Sequence, residues 1–142
     1  MSKKEGKKLP KYLREQGDLG IKEPKKRKIT FSLTRHIAGP PGQSFKEWDD
    51  EGLMAVLATM MQYAGQFTTQ EVIQEGCIKL YNKFGYPPHS EFPKPKHISV
   101  ETWAVMHITA NSKEVVAGYI EDNVFYIVFL DKNHVFWPMA DK

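Results

Sequence analysis

Two stretches of the chain place their hydrophobic residues at helical spacing. In the first, apolar residues recur every three or four positions over 53–64, after a capping-box pattern at 44–47 and before Gly65. A second capping-box pattern, at 68–71, precedes another set of apolar residues: Val72, Ile73, Cys77, Leu80 and Phe84. The pattern predicts two helices, the second ending near Gly85.

Four other segments have the pattern typical of strands. Residues 29–33 alternate apolar and polar side chains, and 102–109, 114–120 and 124–130 are rich in β-branched and aromatic residues. Short polar turns separate the last three segments, which predicts an antiparallel meander with 124–130, apolar on both faces, as its central strand. The expected fold is a two-layer α+β domain, in the order strand, helix, helix, strand, strand, strand, with both helices on one face of a sheet of about four strands.

Charge is distributed unevenly along the 142 residues. Residues 1–28 carry eleven Lys or Arg and four Asp or Glu, a net charge of +7, whereas the whole chain carries +3. Few apolar residues lie in this segment, so we expect a flexible basic arm (1–28), one folded domain (29–138) and a short tail (139–142). The arm ends in a basic run of four residues, Lys25, Lys26, Arg27 and Lys28. This run either binds phosphates, binds an acidic partner or keeps the protein soluble.

Several classes of protein are disfavoured by missing motifs. The chain contains no GxGxxG, no phosphate-binding Gly-Lys-Ser or Gly-Lys-Thr loop, no HExxH and no CxxC. Cys77 is its single cysteine, and the closest metal-like spacing, Asp131 with His134, is a weak one, so we expect neither a metal nor a cofactor. No apolar run is long enough to span a bilayer and no secretory signal is evident, so a cytoplasmic protein without membrane contact is expected.

The C-terminal third carries a family resemblance. Residues 115–119, 125–131 and then His134 resemble the last two strands and the terminal catalytic segment of the RelE/ParE-like bacterial toxins, and the likeness covers roughly 29–138. Where that family commonly has an arginine in the penultimate strand, this chain has Val116 and Ala117. The resemblance implies an RNA-directed protein of a toxin–antitoxin or defence system, an antitoxin-like protein partner, and metal-independent ribonuclease activity.

Such cleavage requires a base, an acid and cations near the phosphate. On the toxin-like interpretation, His134, Lys132 and His97 are the candidate catalytic residues. The candidate RNA-binding residues outside the arm are Lys94 and Lys96 of the proline-rich segment 86–96, and Trp137, whose ring can stack on a base. A structural role competes with catalysis, since His134 can hydrogen-bond a turn with Asp131.

An interaction module without catalysis is the alternative hypothesis. In it the sheet is a scaffold, and the basic arm binds nucleic acid or an acidic protein. Binding that weakens steeply with salt, without cleavage of the strand, would distinguish this module from a nuclease.

Overall fold

The computed structural model describes residues 27–81 and 85–138. In this part of the chain, a first strand is followed by three helices and then by four further strands. The elements are β1 (Thr30–Ser32), α1 (Phe45–Asp50), α2 (Leu53–Ala64), α3 (Thr69–Gln74), β2 (Ile78–Tyr81), β3 (Trp103–His107), β4 (Val115–Glu121) and β5 (Val124–Asp131).

The five strands form one mixed sheet in the order β1-β5-β4-β3-β2. The α+β class and the antiparallel meander β3-β4-β5 are confirmed. The sheet has five strands rather than about four, and it is not wholly antiparallel, because β1 pairs in parallel with β5. Strand β5 lies inside the sheet, as its apolar composition predicts, although β4 occupies the central position.

Both predicted capping boxes are present. The hydroxyl of Ser44 accepts the amide of Glu47 at 3.1 Å, and the hydroxyl of Thr68 accepts the amide of Glu71 at 3.2 Å. The first box starts the short helix α1, and Gly52, at φ 77°, separates that helix from α2. Residues 27–81 therefore contain three helices instead of the predicted two, because a left-handed residue interrupts helical geometry.

The prediction that the second helix continues through Leu80 is wrong, while Phe84 lies outside the described residues. Helix α3 ends at Gln74, Gly76 turns the chain with φ +87°, and 78–81 pair as strand β2 with β3. The two enclosed residues of β2, Ile78 and Tyr81, are three positions apart, a spacing that fits one helical face as well as a strand buried on both sides. Pairing with β3 decides between the two structures.

The hydrophobic core occupies both faces of the sheet. Helices α1–α3 cover one face, where Trp48, Leu57 and Val72 pack against sheet residues such as Met106 and Ile127. The opposite face is covered by the proline-rich segment and the residues after β5. Its core residues are largely aromatic and include Tyr81, Phe92, Trp103, Tyr119, Phe129 and Phe136.

Residues next to the predicted boundary at 28 contact the folded body. The side chain of Asn123 donates to the Lys28 carbonyl at 2.9 Å, and Ile29 is buried in the helical-face core. Residues 1–26, most of the predicted arm, lie outside the described residues, as does the tail from 139 onward. Among the described residues, no helix combines the length and the apolar character needed to cross a membrane.

Candidate functional site

The turn after β5 holds His134 in an unusual backbone conformation. His134 has φ 60°, in the left-handed region that non-glycine residues adopt at a cost of about 1 kcal/mol or more. Its amide donates to the Asp131 carbonyl at 3.4 Å, which closes the turn. A histidine kept in this conformation by its surroundings is a candidate for function, because backbone strain concentrates at functional sites.

The carboxylate of Asp131 holds the residues that follow. It is fully buried, and its two oxygens accept the amides of Val135 at 3.0 Å and Phe136 at 2.7 Å. Burial raises the pKa of Asp131 above its ordinary value, while these amides and the neighbouring His134 act in the opposite direction. The Asp131 carboxylate thus holds the backbone of the turn that contains His134.

His107 is brought next to His134 by the topology of the meander. Strands β3 and β5 run in the same direction with β4 between them, so both end at one edge, where His107 pairs with Val115 and Val115 with Asp131. The two imidazole rings lie 5.3 Å apart between centroids, at 49°. We call His107 and His134 the histidine pair.

Hydrogen bonding sets the tautomer of His107. Its Nδ1 lies 3.2 Å from the Ser112 carbonyl oxygen, which only accepts, so Nδ1 carries the hydrogen. In the neutral ring the lone pair is then on Nε2. Nδ1 of His134 is enclosed and has no hydrogen-bond partner among the described residues.

A cleft of about 460 Å³ opens beside His107 at the edge of the sheet. Its walls come from the end of α2, the turn between α3 and β2, and the loop between β3 and β4. Its lining residues are Met60, Tyr63, Glu75, Gly76, Cys77, Lys79, His107, Thr109 and Ala110. One end of the histidine pair therefore faces a space of the size that small ligands occupy.

The other two predicted catalytic residues have different surroundings from this pair in the described part of the chain. Lys132 donates to Glu51 at 2.7 Å in a partly exposed ion pair, and its amide donates to the Gln43 side chain. His97 is exposed in a turn closed by the Ile98 amide, and no contact with His134 is recorded in the described part of the chain. His134 has gained His107 as its neighbour rather than Lys132 or His97.

The predicted RNA-binding residues are dispersed. Lys94 and Lys96 are exposed in the proline-rich segment, and Lys28 is exposed while Arg27 is partly buried. Trp137 packs edge-on against Tyr81, with ring centroids 5.1 Å apart, and its Nε1 is enclosed. That ring contributes to the aromatic core of the sheet. Lys25 and Lys26 lie outside the described residues.

Metal-binding geometry is not found in the described ranges 27–81 and 85–138, where no group of three or more His, Cys, Asp or Glu side chains is placed to hold an ion. Cys77 is partly buried at the cleft, and burial raises the pKa of its thiol, so the neutral form is favoured.

No protein-family model matches the chain, and no curated protein or solved structure shows significant similarity to it. The geometry of the site is therefore the basis for its function. Sequence analysis did not select His107, Lys79 or Tyr63 as site residues. A signal for His107 was present, because two strands separated by one antiparallel strand must end at the same edge of a sheet.

Proposed function

We propose that the protein is an RNA-directed, metal-independent endoribonuclease that uses the histidine pair for acid–base catalysis. The observation that carries this proposal is the 5.3 Å approach of the His107 and His134 rings beside an open cleft. Two imidazoles at one place can supply both a proton acceptor and a proton donor, because a neutral ring nitrogen accepts a proton and an imidazolium N–H donates one.

Each histidine has a distinct role in this mechanism. His107, whose Nδ1 hydrogen is committed to Ser112, accepts the proton of a ribose 2′-hydroxyl through Nε2. The 2′-oxygen then bonds to the adjacent phosphorus while the bond from phosphorus to the 5′-oxygen breaks. Protonated His134 gives its proton to that leaving oxygen, and the products are a 2′,3′-cyclic phosphate and a free 5′-hydroxyl.

A cationic side chain at the cleft supports the binding of a phosphate group there. Lys79 is exposed on the edge strand and lines the cleft together with His107. Its positive charge stabilises the negative charge that develops on the phosphate in the transition state. Glu75 also lines the cleft, and its negative charge keeps a phosphate away from the part of the cleft next to Glu75.

The test is cleavage of an unstructured, end-labelled RNA by the full chain in the presence of a chelator. We expect His134→Asn and His107→Asn each to lower the rate by about 100-fold or more, as loss of an acid–base group does. Asparagine tolerates the left-handed conformation of residue 134, and at 107 its amide can still donate to Ser112. Both variants should therefore remain folded, which their melting curves check.

His97→Asn is the matched control, because it makes the same replacement at an exposed histidine. A fall in rate with His97→Asn and none with His107→Asn would favour a site built from His134 and His97 instead. A substrate with 2′-deoxyribose at the scissile position should resist cleavage. If wild type and the His107→Asn, His134→Asn double variant show the same background rate, the ribonuclease is ruled out.

Binding without cleavage is the outcome expected of the alternative, a non-enzymatic module that uses the basic arm. No described contact favours that module over the nuclease, because most of the arm lies outside the described residues.

A further inference from the structure

The cleft beside the histidine pair combines an exposed aromatic ring with a cation. Tyr63, at the end of α2, is 48% exposed and is one of only two large hydrophobic residues in the described part of the chain with such exposure. Its ring is held edge-on by Phe67, with centroids 5.2 Å apart at 61°. An aromatic ring fixed by a neighbour and open to solvent is a platform for a flat ligand.

The opposite wall is polar and rigid. The Thr109 hydroxyl and the Ser112 hydroxyl are 2.6 Å apart, and the Ser112 amide donates to Thr109 at 3.1 Å. The same loop supplies the carbonyl that orients His107. Gly76 leaves the mouth open, since a Cβ built there meets no atom within 4 Å. The cleft is thus preformed between a fixed loop and the end of a helix.

We infer that this cleft binds one unpaired nucleotide of RNA, with its base on Tyr63 and its phosphate at Lys79 beside His107. This inference rests on the proposed ribonuclease function and names its substrate class, single-stranded RNA. A base inside a duplex is stacked on both faces and cannot cover the Tyr63 ring, whereas an unpaired base can. The volume, about 460 Å³, lies within the range of about 300–1,000 Å³ that small-ligand sites have.

Charge gives the nucleotide an orientation. Lys79 attracts a phosphate and the carboxylate of Glu75 repels it, so the phosphate belongs at Lys79. The apolar side chain of Met60 and the ring of Tyr63 then face the base. This arrangement places the ribose between the Tyr63 ring and His107, the member of the histidine pair that lines the cleft.

Binding can be measured separately from cleavage with a probe that cannot react. A short single-stranded 2′-O-methyl oligonucleotide containing one 2-aminopurine loses fluorescence when that base stacks, and its anisotropy reports affinity. We expect Tyr63→Leu to weaken binding by about 5- to 100-fold and to abolish the quenching, and Tyr63→Phe to preserve both. Lys79→Gln should reduce the slope of log affinity against log salt by about one.

Duplex RNA of the same sequence should bind no better to wild type than to Tyr63→Leu. Quenching and affinity that are equal in wild type and Tyr63→Leu would overturn the nucleotide site, even if RNA cleavage persists. Binding that depends on Tyr63 without any cleavage of unmodified RNA would instead eliminate the ribonuclease and retain the nucleotide site. Melting curves of both Tyr63 variants should match wild type, because the side chain is exposed.

Discussion

At the scale of single residues, His36 gives the stability of the protein a defined dependence on pH. Its ring stacks on Phe45, with centroids 4.2 Å apart, and its Nε2 lies 3.3 Å from the Gln43 carbonyl. Burial lowers the pKa of His36 below its ordinary value of 6.5, although the hydrogen bond to Gln43 acts in the opposite direction.

Since the folded pKa of His36 is lowered, the unfolded chain binds its proton first as pH falls through 6.5. The free energy of unfolding should therefore decrease in wild type, relative to His36→Gln, between about pH 7.5 and about pH 5.5. Denaturant midpoints of the two proteins across this pH range measure the difference in their stability. The contributions of the other titrating groups are the same in both proteins and cancel in this difference. A difference that stays constant with pH would show that His36 titrates alike in both states.

At the scale of elements, β5 and the segment after it act as one unit through Asp131. Both carboxylate oxygens accept amides of that segment, and Phe136 is buried against Trp103 and Phe129 of the sheet, with ring centroids 5.7 and 5.8 Å away. Asparagine at 131 keeps one acceptor and turns a donor toward the second amide.

We expect Asp131→Asn to lower the free energy of unfolding by about 1–3 kcal/mol, because a buried amide loses its acceptor. The RNA cleavage rate should fall as well, since the turn of His134 loses its support. Asp122→Asn is a matched control, because Asp122 is exposed in the turn between β4 and β5. Unchanged stability with Asp131→Asn would mean that the aromatic packing alone holds the segment.

At the scale of the whole molecule, we predict that the basic arm can be removed without unfolding the folded body. The backbone of Lys28 bridges to Thr68, and its carbonyl accepts the Asn123 side chain. Removing residues 1–26 takes away nine positive charges and four negative ones and leaves these contacts in place.

The melting temperature should remain nearly unchanged in this truncated protein, because the removed segment has few apolar residues to bury. If the arm binds phosphates, affinity for RNA should fall, and the slope of log affinity against log salt should flatten by about one unit per lost contact. A truncated protein that unfolds, or that keeps the full salt slope, would contradict this interpretation of the arm.

Local patterns determined much of this protein before any tertiary contact is considered. The capping boxes at Ser44 and Thr68 and the polar turn at 121–123 act over three or four residues, so the sequence alone locates two helix starts and one hairpin. The α+β class follows from the same patterns.

Tertiary structure decided what local pattern leaves open. Segment 78–81 suits a helix or a strand until β3 pairs with it, and β1 joins β5 in parallel through residues nearly a hundred positions apart. The partner of His134 was decided in the same way, since His107 becomes its neighbour only when two strand ends meet at one edge. Pairing between distant segments depends on which surfaces are buried together in the folded protein. The spacing of residues along the chain does not show which surfaces these are.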